Sequence, residues 1–319
     1  MEKEIKELCD VTIEKYRELR EDFRYDGDYI NHFAAVLYAN NKNEIPVDKI
    51  KKIRTYIKEN TSRMSCFRGD ILYMISFLIG MEDNVRIFIE ALLETYNELV
   101  EAGFKESQYL VLSSYALVKH SDGTNSSTYI SRMMDIFKAM KKKYKNIIND
   151  EDYLECALLS ISGVDENIIN NYMDNILNSL MELDNFSKNS LQGLTLALLL
   201  NNNPSSLIRV QQLLLEFNEK DIKVSHQFLP LLAISAGNYV IEEYSEKLQE
   251  INKYLCSEEY EFEYYMDSSF RVFITISILE YYSIKKEEKF LNELIAMGVY
   301  SFITSKNNGI IADVLALYG

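Results

Sequence analysis

Apolar residues along the chain fall into two alternating kinds of segment. One kind is short, apolar on most sides, rich in small residues, and opens on an aromatic or a Leu/Ile pair. It covers residues 29–38, 71–79, 109–118, 153–161, 191–200, 228–236 and 270–279. Successive starts lie roughly 36 to 44 residues apart, the period of helix-pair repeats. A helix that is apolar nearly all round must be buried nearly all round. Ala34, Ala35, Ser113, Ser114, Ala157 and Ala233 put small side chains where neighbouring helices can approach closely.

The second kind is longer and has one apolar stripe at i, i+3, i+4, i+7, with Glu, Lys, Asn and Asp opposite, as an amphipathic helix requires. Ile130, Met133, Met134, Phe137 and Met140 form one such stripe, and Ile169, Tyr172, Met173, Ile176 and Leu180 another. The most regular is Ile241, Tyr244, Leu248, Ile251 and Leu255. Two-residue alternation, the mark of a half-buried strand, occurs only over 259–264.

The pattern therefore predicts an all-α fold of about seven helical hairpins, stacked as a solenoid-like, two-layer α-α superhelix. Buried helices form one layer and striped helices the other. No stretch rich in Pro, Gly or Ser divides the chain, so residues 1–319 are read as a single domain. Residues 1–60 are less regular, and the first helix there is a candidate N-terminal cap. Gly80, Gly103, Gly163 and Gly237 each follow an apolar pattern, where a left-handed C-terminal cap favours glycine. Residues 122–125 and 202–206 read as turns, and Lys141, Lys142 and Lys143 suit the negative end of a helix.

Composition narrows the classes. Only 11 Gly and 3 Pro occur, too few for the many tight turns of a sheet protein. A net charge of −15 repels phosphate backbones, so no nucleic acid is expected as a partner. Cys9, Cys66, Cys156 and Cys256 form no CxxC pair, which fits a reduced, cytoplasmic setting. The charged start carries no apolar leader, and the apolar run 194–200 is far below the ~20 residues a membrane span needs.

No nucleotide-loop, dinucleotide, nucleophile-elbow or zincin pattern occurs, so no catalytic residue is assigned. His32, His120 and His226 lie far from one another and from any Cys at helical spacing, and neither metal nor cofactor is expected. His32 falls in a buried-type helix and is read as a hydrogen-bonded core histidine; His120 and His226 are read as surface or capping residues. Asp26-Gly27-Asp28 resembles the start of a calcium loop but lacks the later acidic ligands. Arg68, within residues 61–70, is placed either to receive a carboxylate or phosphate or, the favoured reading, to tie its loop to helix-end carbonyls. Tyr29, His32, Arg68 and Tyr73 are the candidates for a ligand pocket between helices. Tyr260, Phe262, Tyr264 and Tyr265, mixed with glutamates, are the candidates for docking a basic partner, against the plainer reading of a connector with packed aromatics.

Two short motifs carry a resemblance. They are Phe67-Arg68-Gly69 with Ser65, and 101–105 (Glu-Ala-Gly-Phe-Lys) followed by Ser107, Tyr109 and Leu110. With the chain length, they resemble an uncharacterised family of bacterial, mainly Gram-positive proteins filed as a domain of unknown function. The resemblance implies a bacterial cytoplasmic protein and brings no catalytic residues. The leading expectation is a non-enzymatic module that binds a protein or peptide on a concave repeat surface. The alternative is a small-ligand binder or enzyme with its pocket between helices.

Overall fold

The computed structural model describes residues 1–40, 44–121, 126–145, 147–183, 188–201, 203–234, 239–283 and 290–318. Among them no strand forms. In chain order the helices are α1 (Lys3–Asp22), α2 (Asp28–Asn40), α3 (Val47–Asn60), α4 (Asp70–Gly80), α5 (Val85–Glu101), α6 (Gln108–His120), α7 (Ser126–Lys143) and α8 (Tyr153–Ser162). They continue with α9 (Glu166–Met181), α10 (Lys188–Asn201), α11 (Pro204–Glu219), α12 (Leu229–Leu232), α13 (Ile241–Glu258), α14 (Tyr260–Tyr265), α15 (Ser268–Ser283) and α16 (Leu291–Tyr318).

The two kinds of segment become two layers, and the fold is all-α as expected. Helix α8 buries every residue from Tyr153 to Ile161, whereas α5 buries only the stripe Ile89, Leu92, Thr95, Tyr96 and Leu99. Inner helices α2, α4, α6, α8, α10 and α12 pack each against the next. Met133, Met134 and Met140 lie in the core. One predicted stripe drifts: Tyr172 is exposed, and Leu177 joins Ile169, Met173 and Leu180 on the buried side of α9. A period of 3.6 residues carries Tyr172 off the face that Met173 and Leu177 share.

The ends of the array meet. Helix α15 packs against α1 and α2, and α13 packs against α1, so the helix suggested as an end cap is covered on its outer side. Arg17 joins the two ends through Glu259 Oε2 and the Glu258 carbonyl, both at 2.8 Å, and Lys247 pairs with Glu2. Phe228, just before α12, stacks on Phe273 of α15 with ring centroids 4.2 Å apart. The hairpins thus form a ring, a closure that the predicted solenoid-like array did not specify. The centre is taken by α16, which packs against α2, α4, α6 and α12 and buries nearly every residue from Leu291 to Ile303.

Gly103 and Gly163 cap their helices at φ 106° and 76°, as expected. Gly80 does something else. It is the last helical residue of α4, where an added Cβ would overlap the Tyr38 hydroxyl and come within 3.2 Å of Ile50 Cγ1. Its role is close approach, not a left-handed turn. Gly237 and residues 122–125 lie outside the described residues, as does Asn202 of the second predicted turn. The alternating segment 259–264 forms the short helix α14 rather than a strand. No helix among the described residues is long and apolar enough to cross a membrane.

Candidate functional site

The residues selected from the sequence fall in two places. His32 lies on α2, its ring stacked on Tyr16 at 3.7 Å and meeting the edge of Phe262 at 5.1 Å. Its Nε2 has no hydrogen-bond partner, and burial, with Arg20 adding to it, pushes the pKa down to about 3. Tyr29 packs edge-on against Phe270 and Phe302, with the Lys306 ammonium 5.8 Å from its ring centre. Arg68 belongs elsewhere. Its guanidinium donates to Thr61 Oγ1 at 2.6 Å, the Thr61 carbonyl at 2.8 Å and the Lys58 carbonyl at 3.0 Å, closing the C-terminal end of α3. Tyr73 lies under the Arg54 guanidinium, 4.8 Å away. No hydrogen bond or ring contact among the described residues joins Tyr29 or His32 to Arg68 or Tyr73.

The aromatic strip divides too. Phe262 is buried against His32, while Tyr260, Tyr264 and Tyr265 are 63%, 63% and 66% exposed. Its acids Glu259 and Glu261 pair with Arg17 and Arg20 across the ring closure. His226 is partly exposed, while His120 Nε2 lies 2.9 Å from Glu293 Oε1 of the central helix.

A different set of side chains converges. Between α16 and the N-terminal ends of α8 and α10 lies a cavity of about 370 Å³. One wall is the polar face of α16, where Ser301, Thr304, Ser305 and Asn308 follow the i, i+3, i+4, i+7 spacing. The opposite wall holds Glu151, Asp152 and Glu155, with Gln192 and Gly193 beside them. The turn Asp150–Asp152 is fixed by a reciprocal cap. Asn149 Oδ1 accepts from Glu151 N at 2.7 Å, and Asp152 Oδ2 accepts from Asn149 N at 2.8 Å. Gln192 Nε2 donates to Asp152 Oδ1.

Glu155 has no such support at one of its oxygens. The residue is 3% exposed, and its Oε2 has no hydrogen-bond partner. Gly193 leaves room for it: a Cβ there would sit 3.4 Å from Glu155 Oε1 and 3.1 Å from Pro230 Cγ. Burial, reinforced by neighbouring carboxylates, pushes Asp152 up to about 7 despite the Asn149 N–H, and pushes Glu155 well above the usual carboxylate range. Glu151 is raised for the same reasons. No ion pair among the described residues involves Asp150, Glu151, Asp152 or Glu155, and no Lys or Arg among them lines the cavity. His226 is the one basic group in the lining, and partial burial lowers its pKa.

A family model described as "Protein of unknown function (DUF4003)" matches residues 15–308. The chain belongs to this family. The DUF4003 match runs from within α1 to within α16 and takes in every residue named above as lining the cavity. This DUF4003 chain is similar to the uncharacterized protein YeaA of Bacillus subtilis (strain 168), at 21% identity over 153 residues. That alignment covers 46% of this chain and 46% of the relative, so the chain spans about half of the relative's length. No solved structure matches. The bacterial family of unknown function suggested by Phe67-Arg68-Gly69 is thus the family found.

The DUF4003 cavity went unread in the sequence because none of its residues forms a known spacing motif. Two signals were present. Glu155 is the one charged residue in the mostly apolar run 153–161, and the run 149–152 (Asn-Asp-Glu-Asp) stands directly before it. A carboxylate inside a helix that must be buried is costly to desolvate, which is reason enough to ask what it faces.

Proposed function

We propose that the chain is a small-ligand binder whose site is the carboxylate-lined cavity between α16 and α8. The observation that carries this reading is Glu155, a residue that lines a cavity of about 370 Å³ and is itself buried, with its Oε2 lacking a partner. A buried polar group left unmatched costs about 1–3 kcal/mol, and a ligand that meets it recovers that energy. The size suits a small molecule. The closed ring supports the same reading, since the bore that an open array would offer to a peptide is filled by α16.

Ser305 is exposed on the cavity wall, so Ser305→Trp blocks the site with little effect on packing. A thermal-shift screen of small polar compounds should give hits that stabilise the native chain and leave the S305W variant unmoved. A ligand present at a hundredfold excess over Kd adds about 2.7 kcal/mol. If no compound separates the two proteins, the cavity is not the site.

A second reading rests on the exposed strip. Tyr260 and Tyr264 lie one helical turn apart with ring centroids 4.3 Å from each other, and with Tyr265 they form an aromatic patch of the kind that anchors protein partners. On this reading the triple change Tyr260→Ala, Tyr264→Ala, Tyr265→Ala abolishes co-purification of a specific protein or peptide at unchanged thermal stability. Identical sets of captured proteins for native and variant chains would end it.

A further inference from the structure

We infer that the cavity takes an organic cation, a small molecule whose primary ammonium or guanidinium group pairs with Asp152 and Glu155. This rests on the small-ligand reading and adds the charge class. Four acids, Asp150, Glu151, Asp152 and Glu155, stand on one turn and the first turn of α8, and no ion pair among the described residues neutralises any of them. The other groups facing them are Gln192 from α10, Tyr109 from α6, His226 from the turn before α12, and the hydroxyl and amide groups of α16. None of these carries positive charge at neutral pH: burial holds His226 down and Tyr109 up.

The N-terminal ends of α8 and α10 favour negative charge, and here the carboxylates themselves already occupy that position. What remains uncompensated is negative. An anion would be repelled by it. A neutral polyol would meet the hydroxyl wall but leave the carboxyls protonated. A divalent metal ion is disfavoured, because no group of three or more His, Cys, Asp or Glu among the described residues is arranged to hold one. A cationic nitrogen has two or more N–H donors, enough for the Glu155 carboxylate, a second carboxylate oxygen and, for an ammonium or guanidinium, a hydroxyl of α16.

The chemistry has a proton signature. Asp152 is pushed up to about 7 and Glu155 well above the usual carboxylate range, so near neutral pH the site without a ligand holds protons that a bound cation expels. Affinity therefore rises with pH, by up to about tenfold per unit for each proton released, and the Asp152 contribution levels off once that group is ionised.

Titration calorimetry with a matched four-carbon series tests the assignment: 1,4-diaminobutane, its guanidino derivative agmatine, 1,4-butanediol and succinate, each at about pH 6 and about pH 8. We expect one or both cations to bind, at least about tenfold tighter at the higher pH, with proton release visible as a dependence on buffer ionisation enthalpy. Glu155→Gln and Asp152→Asn, which keep side-chain shape, should each weaken the cation about tenfold or more, and S305W should abolish binding. Diol or succinate binding as tightly as the cations, or cation binding that ignores pH, overturns the charge assignment while leaving the small-ligand reading intact. Binding of magnesium or calcium alone with the expected pH dependence overturns the organic-cation assignment instead. Silence from all four, alongside hits from the screen that S305W abolishes, also overturns it. Silence from both series and screen removes the underlying reading. The native chain's ligand and pH comparison stands even if a variant fails to fold.

Discussion

Replacing Asp26 by alanine lowers the unfolding free energy by about 3–5 kcal/mol, measured by urea denaturation. Asp26 ends a short turn after α1 and faces Arg54 of α3, and the two side chains are only 5% and 11% exposed. Arg54 Nη1 donates to Oδ1 at 3.0 Å, Nη2 to Oδ2 at 2.5 Å, and Nε to Ser76 Oγ at 2.8 Å. The guanidinium is also enclosed by the rings of Phe23, Tyr73 and Phe77, 4.6 Å, 4.8 Å and 5.1 Å from their centres. Burial nonetheless raises the Asp26 pKa, so desolvation outweighs the attraction of Arg54. That balance says the pair is of modest net value, yet removing one member strands a charge in an aromatic box. The double change Asp26→Leu with Arg54→Met should accordingly recover most of the loss. A loss below about 1 kcal/mol for D26A would show that water reaches Arg54 and that the box is not closed.

The native chain loses stability as pH climbs from about 4 to about 7, and Asp152→Asn removes the share of that loss due to Asp152. The carboxyl titrates near 3.8 when exposed and at about 7 when folded. Below both values it is protonated in either state and contributes no difference. Between them the unfolded chain ionises and the folded chain does not, so the folded state falls behind with each unit. Above about 7 the full penalty is present, up to roughly 4 kcal/mol from this group. Glu155, raised by burial and by Asp152, acts in the same direction. D152N should therefore match the native chain in urea at low pH and exceed it by several kcal/mol at about pH 8. A gap between them that stays constant with pH would place Asp152 in water and sink the prediction.

What could be read in advance was local. The mostly apolar runs of α4 and α8 announce burial on every side, and the stripe Tyr244, Leu248, Ile251 and Leu255 fixes the inward face of α13. Arg68 before a glycine at the head of a buried helix was legible as a carbonyl tie, because the chemistry lies within ten residues of chain. The ring closure was not legible. Arg17 and Glu259 are 242 residues apart, and surface ion pairs of that separation have no sequence signature. The cavity escaped for a related reason, since its walls come from four separated segments and only tertiary packing sets their spacing. Two acids within the strip, Glu259 and Glu261, pair with Arg17 and Arg20, contacts no local pattern announces.

An open stack of hairpins can gain or lose a unit at either end, because each terminal unit has one unoccupied side. In this chain no unit is terminal, since α1 already touches both α13 and α15. An additional hairpin would have to split that contact, widen the circle, and lift α16 away from α2, α4, α6 and α12. Copy number is therefore locked by geometry. Chains of this architecture can vary in loop length, but duplication of a hairpin would cost them the central helix and the cavity it walls.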